Sequence, residues 1–173
     1  MDNRTLTPDQ IAIDDIIKKI CEKFDNDYWL ARDNDGQFPE EFVSAITRGG
    51  WLGITMPKLY GGAGLGVTEA AIMLRRIAHS GGAFSAASAV HINIWGPQPI
   101  IKFGTLQQQE RMIPPIIRGD DRICFGVTEP NAGLDTGAIE TKAKWDGRNY
   151  IVNGQKHWTS TAKGANKIRM PFE

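Results

Sequence analysis

The spacing of apolar residues changes at about residue 121, and this change limits which folds the chain can adopt. Before that point apolar residues recur at intervals of three and four, which predicts amphipathic helices. After it, short runs rich in β-branched and aromatic residues are separated by Gly and Asn turns, which predicts strands joined by hairpins. The sequence therefore predicts an α+β protein, with a helical domain over residues 1–120 and a β domain over residues 121–173.

Two capping boxes mark helix starts in the first part. In Thr7–Gln10 and in Thr105–Gln108, a Thr hydroxyl and a Gln side chain can pair with backbone N–H groups that the first turn of a helix leaves free. The first helix is expected to continue to Tyr28, because apolar residues keep helical spacing that far. Further helices are expected from Phe38 to Gly49-Gly50, around residues 70–78, within residues 77–101, and from Thr105 to Gly119 with a kink at Pro114-Pro115.

Four strand segments are predicted in the second part, the last of them over residues 155–160. Residues 122–128 are expected to form a strand that ends at Glu129-Pro130. Asp146-Gly147 predicts a hairpin between residues 141–145 and 149–152. Asn153-Gly154 predicts a second hairpin, which would place Trp158, Thr159 and Ser160 on a strand.

Composition excludes several function classes. The chain has 20 basic and 20 acidic side chains, so no basic surface for nucleic acid is expected. Its two cysteines, Cys21 and Cys124, are too far apart in sequence for a CxxC motif, and its three histidines lack metal-ligand spacing. Residues 77–101 carry no Asp, Glu, Lys or Arg but are too polar for a membrane span. Because the cysteines and histidines lack metal-ligand spacing, no metal site is expected. The N-terminus has no apolar signal core, so a cytoplasmic protein is expected.

A glycine run, Gly61–Gly66, invites comparison with nucleotide-binding loops. It lacks the last glycine of the dinucleotide fingerprint and follows Pro57 rather than a strand. No GKS or GKT follows, which excludes a P-loop, and the chain has no GxSxG elbow of a serine hydrolase. The run is therefore interpreted as a turn.

The segment from Cys124 to Ser160 combines a proline-stiffened turn, small residues that permit close approach, and Trp158 beside two hydroxyls. An indole ring with neighbouring hydroxyls suits a planar heteroaromatic ligand. The same residues also suit an ordinary strand, so the residues alone leave both interpretations open.

Two segments closely resemble the flavin-binding signatures of acyl-CoA dehydrogenases. They are Phe125–Gly133 (FGVTEPNAG) and Tyr150–Ser160 (YIVNGQKHWTS). Tyr60-Gly61-Gly62 is similar to the Tyr-Gly-Gly segment of that family. Gly96–Thr105 is similar to the family's helical-domain boundary, which precedes the next helix. The resemblance extends over about residues 8–168. It implies an N-terminal helical bundle followed by the start of a β-barrel, here truncated, with a C-terminal bundle absent.

The resemblance also implies FAD as the cofactor. The backbone around Phe125 and Val127 and the Thr128 hydroxyl are expected to contact the flavin ring, Trp158 to pack on its face, and Thr159 and Ser160 to lie at the edge that bears N5. Leu134 replaces the usual serine and can offer only its backbone amide, together with that of Gly133, to phosphate. The expected flavin-site residues are Phe125, Val127, Thr128, Gly133, Leu134, Trp158, Thr159 and Ser160.

The reaction implied by the resemblance is α,β-dehydrogenation of an acyl-CoA thioester in fatty acid metabolism. The family's catalytic glutamate belongs to the C-terminal bundle, so no catalytic residue is expected in these 173 residues. The helix from Ala83 to Trp95 is expected to form a wall of the acyl cavity. The expected partners are the acyl-CoA, an electron-transfer flavoprotein or similar acceptor, and further copies of the chain in a homo-oligomer.

The family pattern stops after Ile168, which suggests a truncated or frame-shifted reading frame. The isolated chain is therefore expected to bind FAD weakly or not at all and to show no turnover. Two alternatives are an inactive remnant and one half of a split enzyme that needs a separate C-terminal bundle. A monooxygenase or oxidase of the same fold is a third.

Overall fold

Helices and strands occupy separate parts of the chain in a computed structural model that describes residues 6–172. Contacts among Cα atoms divide the chain into two units, one ending at Asp121 and the other starting at Arg122. Within the described residues, every α-helix lies in the first unit and every strand in the second. The α+β prediction is confirmed.

Helix ends in the first unit follow the capping residues of the sequence. At both predicted capping boxes the Thr hydroxyl accepts from the Gln amide N–H, and the Gln side chain accepts from the Thr N–H. The last helix continues through Pro114 and Pro115 to its end. The helices are α1 (Pro8–Cys21), α2 (Asn26–Asp35), α3 (Glu40–Arg48), α4 (Val67–Ala78), α5 (Ala83–Trp95), α6 (Gln98–Phe103) and α7 (Leu106–Arg118), with 3-10 turns at Trp51–Gly53 and Lys58–Tyr60.

The prediction of one helix to Tyr28 is wrong. Helix α1 ends at Cys21, and α2 starts after Asp25, whose carboxylate accepts the Tyr28 N–H at 2.9 Å. This cap stabilises a new helix start and changes the chain direction. The turn brings Phe24 and Trp29 edge-on to Phe42, with ring centroids 5.4 and 5.1 Å away.

Among the described residues, the buried side chains of the helical unit are apolar except for Asp14 and Asn93. Asp14 on α1 is buried, and both of its oxygens face arginines of α4. Arg76 Nε donates to Asp14 Oδ1 at 2.9 Å, and Arg75 Nη2 donates to the same oxygen at 3.4 Å. The Arg76 hydrogen bond is the main reason that the pKa of Asp14 is lowered. The ion pairs therefore join α1 to α4.

The glycine run forms a turn whose backbone amides are already bonded. Gly62 N–H donates to Pro57 O at 3.1 Å, and Gly64 N–H donates to Met56 O at 2.8 Å. Gly61 and Gly64 adopt φ values of +91° and +64°, which favour glycine. These amides cannot at the same time bind phosphate, so the structure agrees with a turn and not with a nucleotide loop.

The second unit contains two separate two-stranded sheets. Strand β1 (Ile123–Phe125) pairs in parallel with β4 (Lys167–Arg169), with Cys124 opposite Ile168. Strand β2 (Lys142–Trp145) pairs antiparallel with β3 (Tyr150–Asn153), which confirms the Asp146-Gly147 hairpin. A 3-10 turn lies at Thr136–Ala138. Within residues 6–172 the strands do not form a closed barrel.

Two strand predictions are wrong. The strand expected over residues 122–128 is limited to Ile123–Phe125. The second hairpin, predicted at Asn153-Gly154, does not form: Trp158 and Thr159 lie in an irregular segment, and Ser160 begins a turn. The segment after Gly154 instead bonds to residues 127–129, which are distant in sequence.

The described residues contain neither a membrane-spanning helix nor a metal-ligand cluster. No helix within residues 6–172 has the length and apolar character needed to cross a membrane. No group of three or more His, Cys, Asp or Glu side chains in the same residues is arranged to hold a metal ion.

Candidate functional site

The two signature segments lie side by side in the second unit. The His157 N–H donates to the Thr128 carbonyl at 2.8 Å, and Lys156 Nζ donates to the Val127 carbonyl at 3.0 Å. Two consecutive residues of one signature therefore bond to two consecutive residues of the other. The structure brings Val127 and Thr128 next to the segment that carries Trp158 and Thr159.

Gly126 permits this close approach. A Cβ atom added to Gly126 would lie 3.2 Å from Thr159 Oγ1 and 3.5 Å from Lys156 Cβ. Most side chains would push the Thr159 hydroxyl away from the end of β1. Glycine at this position keeps that hydroxyl beside the backbone of the first signature.

A buried carboxylate, Glu129, holds the turn of the first signature. It accepts hydrogen bonds from the Glu140 N–H at 2.6 Å, the Thr141 N–H at 3.1 Å and Thr141 Oγ1 at 2.5 Å. Lys156 Nζ lies 2.7 Å from the same carboxylate. Hydrogen bonds from Lys156 first, then from Thr141, lower the pKa of Glu129 from 4.5 to about 2. Glu129 is therefore a carboxylate at neutral pH, with every described contact supporting the charged form.

Trp158 adopts a backbone conformation that is rare for a bulky residue. Its φ is +56°, in the left-handed region, and its side chain is 87% exposed. The left-handed conformation costs about 1–2 kcal/mol for a residue with a Cβ atom. No burial of the ring offsets that cost in this unit, and strain of this kind is often found at functional sites. The conformation presents a flat indole face to the surroundings.

The remaining predicted residues occupy two kinds of position. Phe125 ends β1, and the guanidinium of Arg169 on β4 lies 4.9 Å from its ring centroid. Gly133, Leu134 and Ser160 lie on exposed turns, and the Leu134 side chain is fully exposed. The structure thus joins Val127, Thr128 and Thr159 in one cluster and leaves the Gly133-Leu134 turn open at the surface.

Sequence reasoning missed three residues that build this cluster: Thr141, Lys156 and Arg169. Lys156 lies within the second signature, and that membership was the available signal. Thr141 and Arg169 gave no signal, because their partners are distant in sequence. The sequence predicts Glu129 only as the residue at which the first strand ends, although a carboxylate inside a signature is a candidate for a buried ion pair.

A cleft of about 660 Å³ lies in the helical unit. Side chains of α2, the Gly81-Gly82 turn and Ser85 at the start of α5 line it. None of the predicted flavin-site residues contributes to its wall. The cleft is therefore separate from the cluster around Glu129.

Comparison with known proteins assigns both units to one kind of enzyme. Residues 7–120 match the family model described as acyl-CoA dehydrogenase, N-terminal domain. Residues 124–170 match the model described as acyl-CoA dehydrogenase, middle domain. The second match contains the Phe125–Gly133 and Tyr150–Ser160 segments.

Individual relatives agree with these matches. The probable acyl-CoA dehydrogenase YngJ of Bacillus subtilis is 30% identical over 166 residues, which cover 96% of this chain and 43% of the relative. The crystal structure of acyl-CoA dehydrogenase from Geobacillus kaustophilus gives a TM-score of 0.84 at 25% identity, covering 98% of this chain and 44% of that one. Butyryl-CoA dehydrogenase from Megasphaera elsdenii gives 0.82 at 26% identity, covering 98% and 45%. The chain thus spans less than half the length of these proteins.

Proposed function

The chain belongs to the acyl-CoA dehydrogenase family, and from this premise we propose that the complete protein catalyses FAD-dependent α,β-dehydrogenation of an acyl-CoA thioester. The family assignment confirms the resemblance seen in the sequence. The observation that carries the proposal is the pairing of the two signatures through Lys156, His157, Val127 and Thr128. This pairing places an exposed indole next to a hydroxyl and a constrained backbone, which is a surface suited to a flavin.

The residues present fit the isoalloxazine ring. The Trp158 indole is flat and exposed, so it can pack on a ring face. The Thr159 hydroxyl beside Gly126, the neighbouring Ser160 hydroxyl and the Thr128 hydroxyl can donate hydrogen bonds to the polar edge of the ring. When bound, FAD supplies the acceptor for the hydride that leaves the β-carbon. Donors fixed in advance at that edge favour the negative charge that reduction adds.

In the proposed enzyme, the residues of this chain bind the cofactor and the rest of the protein supplies the base. Phe125 and Val127 contribute backbone contacts to the ring, and the amides of Gly133 and Leu134 contribute donors for phosphate. The helix α5 forms a wall of the acyl cavity within the N-terminal domain, residues 1–120, and residues 121–173 begin the middle domain. The base that removes the α-proton is assigned to the part of the relatives that this chain does not span.

The electron acceptor, the location and the oligomeric state of the intact protein are part of the same proposal. Electrons pass from the reduced flavin to an electron-transfer flavoprotein or a similar acceptor, and the intact protein is a cytoplasmic homo-oligomer of fatty acid metabolism. The electron acceptor, the oligomeric state and the metabolic role follow from family membership and not from a feature of the described residues.

A second candidate concerns the 173 residues by themselves. Because the chain spans 43% of its Bacillus subtilis relative, its residues can act as one half of a split enzyme or persist as an inactive remnant. In both cases the 173 residues alone are expected not to turn over acyl-CoA, since the proposed base lies in the part of the relatives that they do not span.

One experiment tests both candidates. The purified chain is titrated with FAD, and acyl-CoA-driven dye reduction is measured with and without an added C-terminal bundle of the Bacillus subtilis relative. Activity that requires the bundle supports the dehydrogenase and the split arrangement. FAD binding without activity in either sample favours the remnant. Absence of FAD binding in both samples contradicts the flavin assignment, and turnover by the chain alone contradicts the expected inactivity.

A further inference from the structure

We propose that the buried Glu129–Lys156 pair, completed by Thr141, positions the Val127-Thr128 backbone at the edge of the flavin ring. This inference rests on the proposed FAD site and assigns a role to residues that do not themselves touch the cofactor. Glu129 and Lys156 are therefore positioning residues.

Lys156 connects its own segment to two points of the first signature. Its Nζ donates to the Val127 carbonyl at 3.0 Å and to Glu129 Oε1 at 2.7 Å. The Lys156 and Glu129 side chains are only 6% and 5% exposed. With both charges removed from water, displacement of either one leaves the other buried and uncompensated. The pair therefore holds its spacing more strictly than a surface ion pair does.

Peptide geometry carries this constraint to the ligand side of the backbone. A trans peptide unit is planar, so the Val127 carbonyl and the Thr128 N–H point in opposite directions. Because Lys156 fixes the Val127 carbonyl, it also directs the Thr128 N–H away from Lys156. The next carbonyl, that of Thr128, accepts from the His157 N–H, and the Glu129 N–H donates to the Ala132 carbonyl at 2.9 Å. Two successive peptide planes are thereby fixed.

Glu129 ties the same turn to the start of β2. Its carboxylate accepts from the N–H groups of Glu140 and Thr141 and from the Thr141 hydroxyl. Three segments that are distant in sequence, around residues 127–129, 140–141 and 156–157, thus meet at one ion pair. Loss of the pair releases the Thr128 amide and hydroxyl from their fixed direction without removing any group that would contact the flavin.

The test uses the 173-residue chain and two measurements. Amide hydrogen exchange at His157 and Thr141, without flavin, reports whether the segments stay joined. A titration with an added C-terminal bundle of the Bacillus subtilis relative reports FAD affinity, since the 173 residues alone are expected to bind FAD weakly or not at all. The variants are Lys156→Met, Glu129→Gln and the charge-retaining Lys156→Arg. Thr141→Val, which removes one hydrogen bond at nearly constant volume, serves if a charge-removing variant unfolds the unit. The matched control is Lys144→Met, which removes a lysine from an exposed position on β2.

We expect Lys156→Met to accelerate exchange at His157 and to weaken FAD binding, each by about tenfold. Lys156→Arg should recover part of both losses, and Lys144→Met should match the wild type. Unchanged exchange in Lys156→Met overturns the positioning role whatever the FAD result. Accelerated exchange with unchanged FAD affinity overturns its link to the flavin. If the wild-type chain has no FAD affinity even with the added bundle but keeps normal protection at His157, the flavin site and the proposed function are refuted. The exchange data then identify the pair as a fold element only.

Discussion

Gly154 lies directly against Thr141, with no room for a side chain between them. A Cβ atom added to Gly154 would lie 2.6 Å from Thr141 Cβ and 2.8 Å from Thr141 Cα. The contact places the end of β3 on the residue that precedes β2, where the Thr141 hydroxyl reaches Glu129. The glycine of the second signature thus supports the buried ion pair through packing.

Gly154→Ala should destabilise the second unit by about 1–3 kcal/mol, because the new methyl group overlaps Thr141. Chemical denaturation followed by the near-ultraviolet signal of the Trp145–Tyr150 pair measures the loss. Gly133→Ala is the control, since a Cβ atom there meets nothing within 4 Å. Equal stability of the two variants would refute the packing role.

The stability of the second unit should fall in acid through Glu129. Its pKa is about 2 in the folded chain against an ordinary value of 4.5. Since the folded value is the lower one, the contribution is complete above about pH 4.5 and is lost as the pH falls toward 2. Denaturation at a series of pH values should show a shallower acid slope for Glu129→Gln. A residual slope is expected from Asp146, whose pKa is lowered by the N–H groups of Asn149 and Arg148. Identical slopes for variant and wild type would contradict this assignment.

Asp14→Ala should destabilise the helical unit by about 2 kcal/mol, because it leaves Arg75 and Arg76 without their buried partner. The cost stays below that of a fully buried pair, since both arginine side chains are partly exposed. Urea denaturation followed by helical circular dichroism measures it. The control is Glu22→Gln, which breaks an exposed pair with Lys18 and should cost less than about 0.5 kcal/mol. A loss no larger than that of the control would show that the Asp14 pairs contribute little.

Trp158→Asn should separate folding from ligand binding. Asn tolerates the left-handed backbone, so the variant should be as stable as the wild type or up to about 1 kcal/mol more stable. FAD affinity, measured by equilibrium dialysis with the added C-terminal bundle, should fall roughly tenfold with the stacking surface removed. Trp145→Phe, which keeps an aromatic ring in the hairpin, should leave the affinity unchanged. An affinity equal to the wild type would exclude Trp158 from the flavin site.

Local signals predicted the elements that depend on local contacts. The Thr7 and Thr105 capping boxes and the Asp146-Gly147 hairpin form from residues close in sequence, and all three are present. The break after Cys21 was also local, but the apolar spacing on both sides of Asp25 concealed the cap.

Long-range contacts decided the rest. Asn153-Gly154 has the chemistry of a hairpin turn, yet Gly154 packs on Thr141 and Lys156 turns to Val127, so no second hairpin forms. The signature residues themselves were visible as motifs. Their support by Glu129, Thr141 and Lys156 was not, because hydrophobic periodicity contains no information about buried charge pairs.

The parallel pairing of β1 with β4 has a consequence for the order of folding. Strand β1 begins the second unit, but its partner lies beyond residues 126–166, so the pair closes a long loop. Helices α1 and α4, by contrast, can pack together once the chain has been synthesised as far as Ala78. During synthesis the helical unit can therefore fold before β1 can pair, because Lys167–Arg169 leave the ribosome later. Until then its edges are open to other chains, and this interval is when the protein is most exposed to misassembly.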